Sequence, residues 1–289
     1  MAASMDRVRI IARDGADRLG EGPLWSPSQD AVFWVDIIGQ RLNRLALADA
    51  RVTGWDIPEM IGWVIERRDR PGFVAGLRSG FAAMTLDPLV ITPMAAPEAA
   101  VPGNQMNDAK ADARGRIFAG TMATAIDGPS GNLWRLDADG GVALVDSGYT
   151  IANGPAISPD GRFMLHTDSA PGRIYRFDIT ADGSLGPRTL FRQFGTGEGK
   201  PDGMTFDSDG GLWVACWGAG CISRFGPDGG IDVSIALPAS QISSCCFAGP
   251  GLDRMFVTSA AVGVEEAHGG ALFEVMTGRT GVAPELYAG

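Results

Sequence analysis

Four residues able to do chemistry stand at matching places along this chain: Glu21, Asn107, Asn153 and Asp202. Each heads an apolar stretch and sits beside glycine, proline or another acid, as in Gly20-Glu21-Gly22-Pro23, Asn107-Asp108, Asn153-Gly154-Pro155 and Pro201-Asp202-Gly203. Singly, such residues form turns at strand entries. Two carboxylates and two carboxamides gathered in one place would repel each other unless a cation lay among them. An oxygen-only donor set suits a hard divalent ion such as Ca2+, Mg2+ or Mn2+. With only three direct ligands, open positions would remain for water and substrate.

Whether these residues meet depends on the elements that carry them. Lys200 to Trp217 reads as a loop bearing an acid, a strand, a tight turn at Asp209-Gly210-Gly211 and a second strand. Met204, Phe206, Leu212 and Val214 alternate with smaller or polar residues, the period-2 sign of a half-buried hairpin. The same layout recurs after Asn153, Glu21 and Asn107. Weaker copies begin at Ile61-Gly62-Trp63 and Ser244-Cys245-Cys246. Self-similarity at a period of about 40 to 50 residues marks a β-propeller with one four-stranded blade per repeat, and six leads predict six blades. In that architecture every repeat presents the same strand to the axis, so Glu21, Asn107, Asn153 and Asp202 converge on one ring at one mouth.

The expected fold is therefore all-β, a six-bladed β-propeller forming one domain over residues 1–289. The short strand Arg7-Val8-Arg9-Ile10-Ile11-Ala12 is surplus to its own blade and is expected to close the last one, removing a sheet edge. Blade two is expected from about Trp55 to Leu86, and blade six is expected to end at Phe273-Glu274-Val275. His166, inside an apolar strand, reads as buried and structural. The four cysteines, Cys216, Cys221, Cys245 and Cys246, lack C-x-x-C spacing and read as small buried hydrophobes. A net charge of −10 argues against nucleic acid and anionic membrane surfaces as partners. No apolar run is long enough to span a bilayer, and Met1 to Arg7 has no hydrophobic leader, so the cytoplasm is the expected compartment.

Taken together these motifs resemble the senescence-marker-protein / gluconolactonase / luciferin-regenerating-enzyme family, the regucalcin-like proteins. The resemblance runs through Gly20-Glu21-Gly22-Pro23, Asn107-Asp108 with Gly120-Thr121-Met122, Asn153-Gly154 with Ser158-Pro159-Asp160-Gly161, and Pro201-Asp202-Gly203 with Leu212-Trp213-Val214-Ala215. It implies one divalent metal on the propeller axis, Ca2+ foremost, with Zn2+, Mn2+ or Mg2+ as alternatives. It implies Glu21, Asn153 and Asp202 as the metal ligands and Asn107 as a substrate contact, expected here as a donor. It also implies a lactonase, a metal-dependent carboxylic ester hydrolase that opens a small-molecule lactone to its hydroxy acid, most readily a sugar (aldono-) lactone. Asp202 is the expected catalytic base.

Two departures bear on the substrate. Gln105 stands where many sugar-handling members place an arginine, and is expected to contact the substrate in its stead. Ala123-Thr124-Ala125 replaces a glutamate pair found in some members. Both changes remove polar grip on a hydroxylated ligand. They leave open a non-sugar lactone, an ester or a phosphotriester as substrate, with a non-enzymatic calcium-binding propeller as a further alternative.

Overall fold

The computed structural model describes residues 7–289. The first six residues of the expected domain, and most of the N-terminal segment read as lacking a leader, lie outside the described residues. Among the described residues every named element is a strand. The chain opens with β1 (Val8–Ile10). Blade one is β2 (Gly20–Ser26), β3 (Ala31–Asp36), β4 (Arg41–Ala46) and β5 (Val52–Asp56). Blade two is β6 (Ile61–Glu66), β7 (Phe73–Leu77), β8 (Gly80–Leu86) and β9 (Leu89–Ala95). Blade three is β10 (Asn104–Ala111), β11 (Ile117–Ala123), β12 (Gly131–Leu136) and β13 (Val142–Tyr149). Blade four is β14 (Ala152–Ile157), β15 (Phe163–Asp168), β16 (Arg173–Asp178) and β17 (Thr189–Gln193). Blade five is β18 (Lys200–Phe206), β19 (Leu212–Trp217), β20 (Cys221–Phe225) and β21 (Ile231–Ala236). Blade six holds β22 (Ile242–Ala248), β23 (Arg254–Ser259) and β24 (Phe273–Val275). Each blade is an antiparallel four-stranded sheet in sequence order. The exception is the sixth, ordered β1-β24-β23-β22, in which Val8 pairs with Val275 and Ile10 with Phe273. The fold is the expected all-β six-bladed propeller.

Burial explains why these segments fold as blades. β3, Ala-Val-Phe-Trp-Val-Asp, is buried on both faces, because Ala31, Phe33 and Val35 pack on blade two while Val32 and Trp34 pack on blade six. Outer strands are different: β9 and β17 are largely exposed. Six clusters of buried apolar side chains lie one at each seam between adjacent blades. Phe33 and Phe73 meet between blades one and two, Met164 and Phe118 between three and four, and Trp34 and Phe256 between six and one. Phe33 and Phe73 meet edge-to-face at 5.0 Å, a geometry their ring quadrupoles favour.

Blade two corrects the expected boundaries. Trp55 belongs to β5, the outer strand of blade one, and blade two runs from Ile61 to Ala95. Its outer strand, β9, lies beyond the expected end because that strand is exposed and lacks apolar alternation.

The chain does not stop at β24. Residues 280–289 cross the face of the propeller where the inner strands end. The Ser208 N–H donates to Thr280 O (2.9 Å) and the Gly281 N–H to Leu252 O (2.7 Å). At the far side the Tyr287 N–H donates to Glu66 O (2.9 Å), the Ala288 N–H to Gly115 O (3.1 Å) and the Tyr287 hydroxyl to Asp137 O (2.9 Å). This strap joins blades five and six to blades two and three.

Candidate metal centre

The innermost strands β2, β6, β10, β14, β18 and β22 touch in turn around the axis. Every one of them loses register with its neighbour near its N-terminal end: between Glu21 and Leu24, Ile61 and Trp63, Met106 and Ala109, Asn153 and Ala156, Pro201 and Met204, and Ile242 and Ser244. A bulge re-aims side chains and releases backbone from the ladder. The residues singled out by type all stand at or beside these bulges. Glycine lets the inner strands crowd together there. A Cβ on Gly203 would sit 2.0 Å from Ser244 Oγ, and one on Gly62 would sit 2.6 Å from Asn107 O.

Glu21, Gln105, Asn107, Asn153 and Asp202 are each buried, between 5% and 8% exposed. Asn107 Nδ2 donates to Asn153 Oδ1 (3.0 Å) and to Ala152 O (2.9 Å). Asn153 Nδ2 donates in turn to Ser169 Oγ (3.1 Å). These bonds fix both amide orientations and turn Asn153 Oδ1 toward Asn107. Because the protein consumes the Asn107 amide protons, its free group is the Oδ1 acceptor, not the donor expected from its residue type. Glu21 Oε2 accepts from the Gly22 N–H (2.9 Å). Gln105 Oε1 accepts from Thr124 Oγ1 (3.3 Å), so the uncharged residues at the two departures from the family pattern bind each other.

The electrostatics are unbalanced. Burial first, then the negative charges of Asp202 and Asp108, hold Glu21 well above the usual carboxylate range. Burial and Asp108 do the same to Asp202, opposed in part by the Gly203 N–H and the Asn153 amide. Asp108 is also raised, by burial, against the pull of Lys110 and of the Ala109 and Gly154 N–H groups. Asp202 Oδ1 is buried and accepts no hydrogen bond from the protein. An orphaned carboxylate oxygen at this depth costs free energy unless something positive meets it. Glu21, Asp108 and Asp202 crowd together with Lys110 as their nearby cation, so formal negative charge is in excess and a cation among them would be favoured. Glu21, Asp202 and Asn153 offer two carboxylates and a carboxamide as candidate donors; among the described residues no cluster of three or more His, Cys, Asp or Glu is arranged to hold a metal.

Sequence reasoning passed over Asp108 and Lys110. Both line a cavity inside the channel with Ser158, Thr205 and the strap residue Glu285. A signal was present: the chain has only two lysines, Lys110 and Lys200, among its 24 Lys and Arg residues. Glu98 was passed over as well. From the loop before β10 it accepts from Asn104 Nδ2 (3.1 Å), Thr121 Oγ1 (2.7 Å), Asn132 Nδ2 (2.9 Å) and Trp134 Nε1 (2.7 Å), clamping the blade that carries Gln105 and Asn107. His166 is fully buried against Tyr149, with ring centroids 4.7 Å apart.

The geometry defines a closed propeller whose axis carries an acid-rich, bulge-built ring at one mouth. The family follows: the chain belongs to the SMP-30/gluconolactonase/LRE-like family, whose model matches residues 19–261. It is 32% identical to 6-deoxy-6-sulfogluconolactonase of Pseudomonas putida over 278 residues, covering 94% of this chain and 95% of that one. It is 32% identical to L-arabinolactonase of Azospirillum brasilense, covering 96% and 95% respectively. The solved structure of regucalcin, a calcium-binding protein from Agrobacterium tumefaciens, superposes with a TM-score of 0.92 at 27% identity, covering 96% of each chain.

Proposed function

We propose that this chain is a divalent-metal-dependent lactonase that opens a small lactone, in the first place a sugar (aldono-) lactone, to its hydroxy acid. The observation that carries the reading is the buried, unpartnered Asp202 Oδ1 beside Glu21 and Asn153. Relatives named as lactonases over nearly their whole length support the same reaction class. Glu21, Asn153 and Asp202 would hold the cation, with Ca2+ first in order and Zn2+, Mn2+ or Mg2+ after it. When bound, it would supply Lewis-acid polarisation of the lactone carbonyl.

The remaining work falls to the chain. Asp202 takes a proton from the attacking water as the water oxygen bonds to the carbonyl carbon. It returns that proton to the ring oxygen as the acyl C–O bond breaks. Asn107 accepts a hydrogen bond from a substrate hydroxyl through Oδ1 and, through Nδ2, keeps Asn153 in place. Gln105, tied to Thr124, faces the substrate as a neutral group. The buried inner strands keep bulk water from the reacting atoms, which strengthens each of these interactions.

The pairing of Gln105 with Thr124 favours a second reading: a less hydroxylated lactone, an ester or a phosphotriester at the same site. A proton-release screen of the purified protein against a lactone panel, with and without divalent ions, separates the two. Turnover of aldonolactones that chelation abolishes and a divalent ion restores supports the first reading. Turnover confined to non-sugar esters supports the second. Hydrolysis that survives exhaustive chelation rejects both.

A further inference from the structure

Blade five contains a second reactive arrangement. Cys216 is the penultimate residue of β19 and Cys221 opens β20, and the two stand directly opposite each other in the antiparallel register. Residues so paired have Cα atoms about 4.5–5.5 Å apart, within the span of about 4.4–6.8 Å that a disulfide bridges. Both sulfurs converge on one hydroxyl: Cys216 Sγ lies 3.5 Å from Ser223 Oγ, and Cys221 Sγ lies 3.8 Å from the same oxygen. Both cysteines are free thiols. Cys216 is 2% exposed, whereas Cys221 is partly open to solvent.

We propose that Cys216 and Cys221 form a peroxide-oxidisable dithiol, a modification site that closes to a cross-strand disulfide. The Cys221 thiolate attacks one oxygen of a hydroperoxide and the O–O bond breaks. Cys221 becomes a sulfenic acid, and the released alkoxide or hydroxide takes up a proton. The Cys216 thiol loses its proton and attacks the Cys221 sulfur; the S–S bond forms, the S–O bond breaks, and hydroxide leaves with that proton as water. Two thiols lose two electrons, and the hydroperoxide is reduced to an alcohol or to water.

The chemistry of the four cysteines fits this division. The Cys216 S–H facing Cys221 lowers the Cys221 thiol to about 7, so much of it is thiolate at neutral pH. Cys216 itself is raised, first by that bond and then by burial, as befits the thiol that waits to resolve. Cys245 and Cys246 are raised by burial and remain unreactive thiols. The bond would sit beside the candidate site, because Cys216 pairs across the ladder with Pro201, the neighbour of Asp202. The proposal does not depend on the metal or on the lactonase reading.

The test treats the intact protein with a small excess of hydrogen peroxide, blocks remaining thiols by alkylation under denaturing conditions and maps peptides by mass. Cleavage after Trp217 separates the two cysteines, so a linked pair reports the bond itself. The expected result is a loss of two hydrogen atoms from the intact mass, a Cys216–Cys221 peptide that thiol reductant dissolves, and full alkylation of Cys245 and Cys246. Cys216→Ser should leave a sulfenic acid on Cys221 that dimedone captures. Cys221→Ser should leave Cys216 reduced. Complete alkylation of Cys216 and Cys221 after peroxide, a bond from Cys216 to Cys245, or failure of dimedone to label Cys216→Ser would overturn the assignment.

Discussion

Replacing Asp202 by asparagine should move activity and stability in opposite directions. The side chain is 5% exposed, its Oδ1 accepts no hydrogen bond, and it faces the charges of Glu21 and Asp108. In metal-free protein burial and Asp108 make the ionised form of that carboxyl costly, against the partial help of the Gly203 N–H and the Asn153 amide. Asparagine keeps the shape and removes the charge. Removing the cost of a buried carboxylate beside other acids returns about 1–3 kcal/mol, which for a chain of this size raises Tm by roughly 2–10 °C. The same change removes the proton acceptor, so kcat should fall by about 10²–10⁴. It also weakens the cation, so the Tm gain that a divalent ion gives wild type by mass action should shrink or vanish. The assay is metal content by mass spectrometry, kcat on the best lactone, and Tm with and without chelator, for both proteins. A variant that is fully metallated and nearly as active as wild type would refute the role given to Asp202. So would a drop in the metal-free Tm, which is what the loss of a hydrogen-bonded turn residue predicts.

Asn107→Ala should retain the metal, since Glu21, Asn153 and Asp202 remain, and should lose about 1–3 kcal/mol in kcat/KM; loss of metal with unchanged turnover would move Asn107 into the ligand set. Burial lowers the His166 imidazole from 6.5 to about 3, so the folded protein binds fewer protons than the unfolded chain. Its contribution is therefore complete above pH 6.5 and is lost as pH falls toward 3, at about 1.4 kcal/mol per pH unit. Denaturant titrations of wild type and His166→Gln across pH 4–7 should show a flatter acid limb in the variant, and parallel limbs would contradict the burial argument.

The fold was legible because inner strands are buried on both faces and each begins with a bulge that needs glycine or a short polar residue. Those demands write themselves into sequence as Glu21-Gly22-Pro23, Asn153-Gly154-Pro155 and Asp202-Gly203. Outer strands answer to solvent on one side and carry no such mark, which is why β9 fell outside the expected blade and Trp55 was assigned to the wrong one. The strap at 280–289 was invisible for a related reason. It is held mainly through backbone groups such as Gly281 N and Ala288 N, and backbone bonding leaves little trace in side-chain identity. Residue type placed Asn107 at the ring but misjudged what it offers, because the fate of its amide protons depends on Ala152 and Asn153, residues of another blade.

The bulges also bear on why the acids tolerate such close company. In a regular strand consecutive side chains face opposite sides, so Asn107 and Asp108 could not both turn toward blade four. The register shift between Met106 and Ala109 permits it: Asn107 reaches Ala152 and Asn153, while Asp108 takes the Gly154 N–H. That same shift adds a third carboxylate to a ring already carrying Glu21 and Asp202, and among the described residues lining that cavity Lys110 is the one cation to answer it. Left so, the ring opposes folding, and the apolar seams between the blades must offset it. A protein under selection for stability alone would replace these acids with apolar residues, as buried charges generally permit. Their presence at the level where six bulges coincide is the physical argument on which the proposed cation site rests.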